Sequence, residues 1–181
     1  MSGSFLPPLC YTLDMKYITL LIACFSMGCS PIATFPPIET EAATKFADAT
    51  QKPVPRIMAV AINYAHNTYG SMDKIVFNLP EGVGYEAYGL VNNKLSNASP
   101  MTSVGQPAYH IIELRVRGFN AEADVVFPAS SGDYQMATVW IHADPFGAKV
   151  TSDRVWAIPV HESPAPTYAK DTIVGANAKT P

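Results

Sequence analysis

The sequence lacks most of the features that identify a protein's chemistry. Its three cysteines all precede residue 30, so the longer remainder offers no disulfide, no cysteine-based metal site and no thiol nucleophile. Positive charge is scarce, since 12 Lys and Arg face 15 Asp and Glu and give a net charge of −3. A nucleic-acid partner is therefore not expected, because such proteins present a basic face. No apolar run reaches the roughly 20 residues that a membrane-spanning helix needs.

Catalytic motifs are equally scarce. The sequence contains neither a His-Glu-x-x-His metal motif nor a Gly-x-Ser-x-Gly nucleophile turn. Gly82 and Gly84 form a glycine pair, but no third glycine follows at the spacing of a nucleotide-binding loop. The pair is typical of a turn that precedes a helix. The sequence thus leaves enzymatic activity open while favouring a non-catalytic protein, and it predicts no cofactor and no bound metal.

The most informative segment runs from Met15 to Cys29, with the sequence MKYITLLIACFSMGC. Lys16 precedes a ten-residue, mostly apolar run from Ile18 to Met27. A positive residue followed by an apolar run of about 7–15 residues is the pattern of a secretory signal. We therefore predict a signal peptide at 15–28. Residues 1–14 contain Asp14 and two prolines, which do not suit a signal, and they are interpreted as an extension upstream of a true start at Met15.

The end of this segment resembles the lipobox of bacterial lipoproteins. The four positions concerned are Ser26, Met27, Gly28 and Cys29. Cys24 follows a closer letter match, but choosing it leaves almost no apolar run after Lys16. The resemblance implies that Cys29 receives a diacylglyceryl group and an acylated amine, which together hold a protein on a membrane far better than one chain does. It also implies export to the cell envelope, and Ser30 implies the outer membrane in a Gram-negative cell.

The remaining chain divides into three predicted parts. Residues 29–55 carry the lipidated cysteine and a flexible tether rich in Pro, Thr, Ala and Glu. Residues 56–162 form one α+β domain, and residues 163–181 form a disordered tail. A chain of this length buries a hydrophobic core without disulfides or metals.

Within the domain, helical spacing after Pro53–Pro55 predicts a first helix that ends at Gly70, and a second helix is expected at about 85–96. Alternation predicts strands at 73–79, 109–117, 121–127, 134–142 and 150–160. We therefore expect about two helices on one face of a four- to five-stranded antiparallel sheet. The order of elements resembles the cystatin-like and nuclear-transport-factor-like cone folds, and a shared fold implies no function.

Two histidines and two aromatic residues are the candidate site residues. His110 and His142 lie on predicted strands that could bring them together in one site. The simpler interpretation is that each is a half-buried histidine that is hydrogen-bonded to a neighbour. Alternation places His110, Ile112, Leu114 and Val116 on one face of their strand, with Glu113 on the other. Tyr134 and Trp140 are core residues or, where a groove stays open, a binding platform.

These observations favour a lipid-anchored cell-envelope protein with a non-catalytic binding or assembly role. Its expected partners are the membrane and either an envelope protein or a small molecule. The alternative is a small cone-fold enzyme or ligand carrier with a pocket between helices and sheet, in which His110 or His142 acts as a general base. A purely structural envelope protein is a third possibility.

Overall fold

The computed structural model describes residues 32–37, 48–70, 72–158 and 160–168. This part of the chain contains two helices, α1 (Val54–Tyr69) and α2 (Tyr85–Asn92). It also contains seven strands: β1 (Ile32–Phe35), β2 (Ile75–Asn78), β3 (Ala98–Pro100), β4 (Tyr109–Arg117), β5 (Asn120–Pro128), β6 (Tyr134–Ala143) and β7 (Ala148–Val155). The predicted α+β class is confirmed. The predicted signal peptide and Cys29 lie outside the described residues.

Helix α1 forms where proline and apolar spacing predict it. Pro55 lies in the first turn, where its missing N–H costs nothing. The buried residues recur every three or four positions: Val54, Ile57, Met58, Ala61, Ile62 and Ala65. This stripe packs on β4, β5, β6 and β7, whose helix-covered side we call the inner face and whose other side we call the outer face. The helix ends at Gly70, whose backbone is extended, and this position requires glycine because a Cβ there would collide with the His66 carbonyl.

The sheet is larger than expected and only partly antiparallel. Its order is β3-β2-β4-β5-β6-β7, and β1 also pairs with β4. Strands β4 to β7 form the predicted antiparallel meander, whereas β2 lies parallel to both β3 and β4. The expectation of four or five antiparallel strands is therefore wrong. Strands β1 and β3 span only four and three residues, which is too short for alternation to reveal them.

Strands β1 and β2 share one edge of β4. Strand β1 pairs antiparallel with residues 114–117, and β2 pairs parallel with Tyr109 and His110. The two strands therefore approach each other with their C-terminal ends. Pro36 follows β1 and Pro80 closely follows β2, and proline has no N–H with which to extend a ladder. Residues 32–35, predicted as part of the tether, thus belong to the sheet.

A bulge in β4 changes which residues before it share a face with the residues after it. The register slips between Ile111 and Glu113, so Ile112 is the extra residue. Tyr109 and Ile111 before the bulge, and Leu114 and Val116 after it, are all buried. His110 consequently lies on the outer face together with Glu113. The predicted grouping of His110 with Leu114 and Val116 is wrong because alternation assumes an unbroken register.

The two ends of the sheet differ in what covers them. At one end lie the β4–β5 and β6–β7 turns, close to the start of α1. At the other end, residues 160–168, which we call the C-terminal segment, cross from β6 towards β2 and α2. Val160 bridges to Tyr134, and Thr167 donates its backbone N–H to the side chain of Asn78. Residues 163–168, predicted as the start of a disordered tail, are therefore held to the domain by contacts of this kind.

Among the described residues, neither helix combines the length and the hydropathy required to cross a membrane.

Candidate functional site

A cleft of about 420 Å³ lies at the end of the sheet where α1 begins. Its volume falls within the roughly 300–1,000 Å³ of ordinary small-molecule sites. The start of α1, the C-terminal end of α2 and the two turns β4–β5 and β6–β7 form its walls. We call it the α1 cleft, and it is lined by Thr50, Lys52, Pro53, Pro55, Arg56, Leu90, Lys94, Gly118, Phe119, Ala143, Asp144 and Pro145.

Apolar side chains make up most of the cleft surface. Pro53 and Pro55 line it from the start of α1, and Leu90 lines it from α2. Phe119 lies in the β4–β5 turn, where 59% of its surface is exposed, which is unusual for a large aromatic residue. The backbone N–H of Ala143 donates to the Phe119 carbonyl over 2.7 Å and joins the two turns. The apolar wall is therefore built on a defined backbone arrangement.

Three cationic side chains, Lys52, Arg56 and Lys94, line the same cleft. Within the described residues none of them forms an ion pair, since the only salt bridges there belong to Arg115. An adjoining hollow of about 440 Å³ is also lined by Arg56 and Lys94, so these two side chains border both spaces. Positive charge that has no ion pair in the described part of the chain is thus concentrated at one apolar cleft.

Among the described residues that line the cleft, Asp144 is the only acidic one, and its carboxylate is hydrogen-bonded within the β6–β7 turn. The carboxylate accepts backbone N–H bonds from Gly147 at 2.7 Å and from Phe146 at 2.8 Å. These bonds lower the pKa of Asp144 below its ordinary value, and the bond from Gly147 has the largest effect. The charge of the lining residues is three positive against one negative, so the cleft favours an anion.

The backbone at the start of α1 offers no free donor to a ligand. Pro53 and Pro55 have no N–H group. The amides of Val54, Arg56 and Ile57 donate to the carbonyls of Gln51, Pro53 and Pro53 respectively. The first turn also contains no acidic residue. An anion at the start of α1 would therefore interact with the cationic side chains rather than with a ring of backbone amides.

The four candidate site residues predicted from the sequence all lie on the outer face, and none of them lines the α1 cleft, although the His142 ring lies 6.3 Å from the ring of the cleft residue Phe119. His110 and Tyr134 come together, with 5.8 Å between their ring centroids. Trp140 and His142 lie near the far end of β6, and His142 pairs with Asn120 across the strands. Because His110 is level with Met136 across β5, six residues of β6 separate the two histidines, or about 20 Å. They do not form a common site.

His110 is buried against the C-terminal segment. Its side chain is 0% exposed, and its Nε2 lies 3.4 Å from the Ser163 hydroxyl. Its Nδ1 has no hydrogen-bond partner in the described structure, so no third group orients the ring as a catalytic triad requires. Desolvation lowers the pKa of His110 to about 4, which keeps the ring neutral near pH 7. A substrate could reach it only if the C-terminal segment moved away.

Asn78 fastens the C-terminal segment beside His110. Its Oδ1 accepts hydrogen bonds from the Tyr88 hydroxyl and from both the backbone N–H and the hydroxyl of Thr167, at 2.9, 3.0 and 2.9 Å. Its Nδ2 donates to the Ala165 carbonyl over 2.9 Å. Asn78 is 3% exposed, so these bonds satisfy a polar group that burial would otherwise penalise. The polar residues at this end of the sheet therefore have a structural explanation.

The described residues contain no group of three His, Cys, Asp or Glu side chains arranged to hold a metal ion. Acidic side chains do converge on the outer face, where Glu113, Glu122 and Asp124 lie within 2.8, 3.3 and 3.0 Å of the Arg115 guanidinium. The guanidinium occupies the position between them and balances part of their charge. This cluster is therefore a charged network and not an open cation site.

Comparison with known proteins yields no matching family model, no matching curated protein and no matching solved structure.

The sequence does not reveal the α1 cleft. Its lining residues come from stretches that the sequence identifies only as a helix start, a helix end and two turns. Two local features do point to it: cations at the start of a helix without an acidic residue, and an aromatic residue in a tight turn. Neither is specific, since only the tertiary fold brings Lys52, Lys94 and Phe119 to one cleft.

Proposed function

We propose that this chain is an exported, lipid-anchored protein of the cell envelope whose α+β domain binds a small molecule in the α1 cleft. The observation that supports binding is the cleft itself, an apolar space of about 420 Å³ bordered by three cations without ion pairs in the described part of the chain. The lipobox-like segment ending at Cys29 supports export and anchoring, with the outer membrane as the destination in a Gram-negative cell.

The role we propose is non-catalytic. The alternative of a small enzyme requires a pocket lined by His110 or His142, and neither histidine lines the α1 cleft. The ligand-carrier form of that alternative agrees with the geometry, because the cleft does lie between the helices and the turns of the sheet. Binding is therefore the activity that the arrangement of side chains favours.

The binding proposal is tested by titrating the isotopically labelled full-length chain with 1-hexanol and following its amide resonances by NMR. We expect the largest shifts at residues that line the α1 cleft, and a several-fold weaker affinity in Phe119→Ala. Phe146→Ala is the matched control, because Phe146 is 96% exposed in the neighbouring turn and does not line the cleft. Shifts scattered over the surface, or equal effects of the two variants, would refute a binding cleft.

The anchoring proposal is tested separately by cell fractionation and intact-mass measurement. We expect the wild-type protein in the membrane fraction with an acylated N-terminal cysteine at position 29. Cys29→Ser should leave the precursor unprocessed and unacylated, whereas Cys24→Ser should behave like the wild type. An unmodified wild-type chain that begins before Cys29 and remains in the cytosol would contradict the proposal.

A further inference from the structure

We propose that the α1 cleft selects a small amphiphilic carboxylate, that is, an apolar body that bears one carboxylate group. The inference rests on the proposed binding function and adds the chemical class of the ligand. It follows from three properties of the cleft: where its cations lie, which backbone donors are already used, and how its apolar wall is arranged.

The position of two of the cations is unfavourable without a ligand. Lys94 follows the C-terminal end of α2, where the helix dipole favours a positive charge. Lys52 and Arg56 lie at the N-terminal end of α1, where the dipole disfavours it, and no acidic residue of the first turn compensates. Neither forms an ion pair within the described residues. A bound anion would supply the missing negative charge.

The backbone amides at the start of α1 are already hydrogen-bonded, and this favours a carboxylate over a phosphate as the ligand's anionic group. Phosphate groups at helix N-termini are typically held by several free backbone amides. In α1 the amides of Val54, Arg56 and Ile57 are already hydrogen-bonded, and both neighbouring prolines have none. A carboxylate has only two oxygens, and the Arg56 guanidinium matches both of them as a planar, bidentate donor. Lys52 and Lys94 add charge without geometric demands.

The apolar wall explains why the ligand must also carry an apolar body. Leu90, Phe119 and Pro145 line the cleft together with the cations, and only part of the Phe119 side chain is covered by the protein itself. Covering such apolar surface is favourable in proportion to the area removed from water. A bare anion such as acetate would interact with the cations and leave this surface exposed to water.

The test compares three six-carbon ligands whose head groups carry a negative charge, no charge and a positive charge: hexanoate, 1-hexanol and hexylammonium. The full-length chain is titrated with each ligand at pH 7 and low salt, and the dissociation constants are read from the amide shifts of cleft residues. We expect hexanoate to bind about ten-fold more tightly than 1-hexanol, and hexylammonium to bind least. In 1 M NaCl the advantage of hexanoate should largely disappear, because the screening length falls to about 3 Å.

Charge variants locate the effect. Lys52→Gln, Arg56→Gln and Lys94→Gln should each reduce the advantage of hexanoate about two- to five-fold, as expected for exposed charge pairs, and the triple variant should abolish it. Lys74→Gln is the control, because Lys74 is exposed beyond the opposite end of α1, a helix about 24 Å long. Equal affinities for hexanoate and 1-hexanol at the cleft would overturn the ligand class and leave the binding function standing. Cleft resonances that respond to neither ligand would refute the binding function itself.

Discussion

His110 makes the stability of the domain depend on pH in a defined direction. The ring is fully buried on the outer face, and burial lowers its pKa from 6.5 to about 4. The unfolded chain therefore binds more protons than the folded chain between these two values. The contribution of His110 to the free energy of unfolding is greatest above pH 6.5, where the ring is neutral in both states. This contribution falls as the pH drops from 6.5 to 4.

The size of the effect follows from the same two pKa values. They differ by about 2.5, and each unit corresponds to about 1.4 kcal/mol, so the free energy of unfolding should fall by about 3 kcal/mol between pH 7 and pH 4. That loss is a large share of the roughly 5–15 kcal/mol by which domains are stable. Below pH 4 this contribution stays constant, because both states then carry the proton.

The assay is urea unfolding followed by tryptophan fluorescence at pH values from 4 to 8, for the wild type and for His110→Phe. Carboxylates titrate in both proteins and cancel in the difference between the two curves. We expect that difference to change by about 3 kcal/mol between pH 7 and pH 4 and to be constant above pH 7. Parallel curves across the whole range would show that His110 is accessible to protons in the folded state and would refute the reasoning.

Two further predictions concern the C-terminal segment and the helix glycines. Asn78→Ala removes the acceptor for three hydrogen bonds and should lower the unfolding free energy by about 3 kcal/mol, with faster proteolysis after Val160. An unchanged cleavage rate would contradict this attachment. Gly89→Ala should raise the melting temperature by a few degrees, since its Cβ meets nothing within 4 Å and Ala favours helix. Gly70→Ala should lower it, because its Cβ would collide with the His66 carbonyl. A melting temperature that calorimetry finds unchanged or raised in Gly70→Ala would refute the packing described at the end of α1.

Local signals were sufficient to predict α1 and the meander from β4 to β7. The buried stripe of α1 recurs with helical period and is bounded by Pro55 and Gly70, so its type and limits follow from the residues alone. The four long strands span eight to ten residues, alternate over parts of that length, and are separated by turn residues. In both cases the pattern spans more than one period of the element it predicts.

Non-local pairing decided the parts that the sequence did not predict. Strand β1 contributes four residues whose partners lie about 80 positions away, and nothing local distinguishes them from a tether. The bulge at Ile112 depends on the register with β5, yet it changes the face of every later residue of β4. Residues 163–168 look disordered in isolation and become ordered through bonds to Asn78 and Tyr88. Each feature that the sequence did not predict lies in a segment whose structure depends on residues far away in the chain.

The candidate site also depends on residues that are far apart in the chain. His110, Tyr134, Trp140 and His142 attract attention in the sequence because their side chains carry chemistry, but the fold distributes them along the outer face. The α1 cleft is lined instead by residues that are individually ordinary, and it exists only because two turns meet the start of a helix. Lys52 and Phe119 are 67 positions apart in the chain, so no motif search could combine them.

The topology connects the proposed anchor with the proposed ligand. Ile32 pairs with Arg117, the last residue of β4, so the sheet begins beside the turn that carries Phe119. Only two residues lie between Cys29 and Ile32, and three fully extended residue steps cover about 10 Å. If Cys29 carries the proposed lipid, a short linker joins that anchor to the strand that pairs beside the Phe119 turn. Amphiphilic carboxylates concentrate at a bilayer surface, because their apolar bodies partition into the bilayer while the charge stays in water. The proposed anchor would thus expose the domain to the class of ligand that we propose for the α1 cleft.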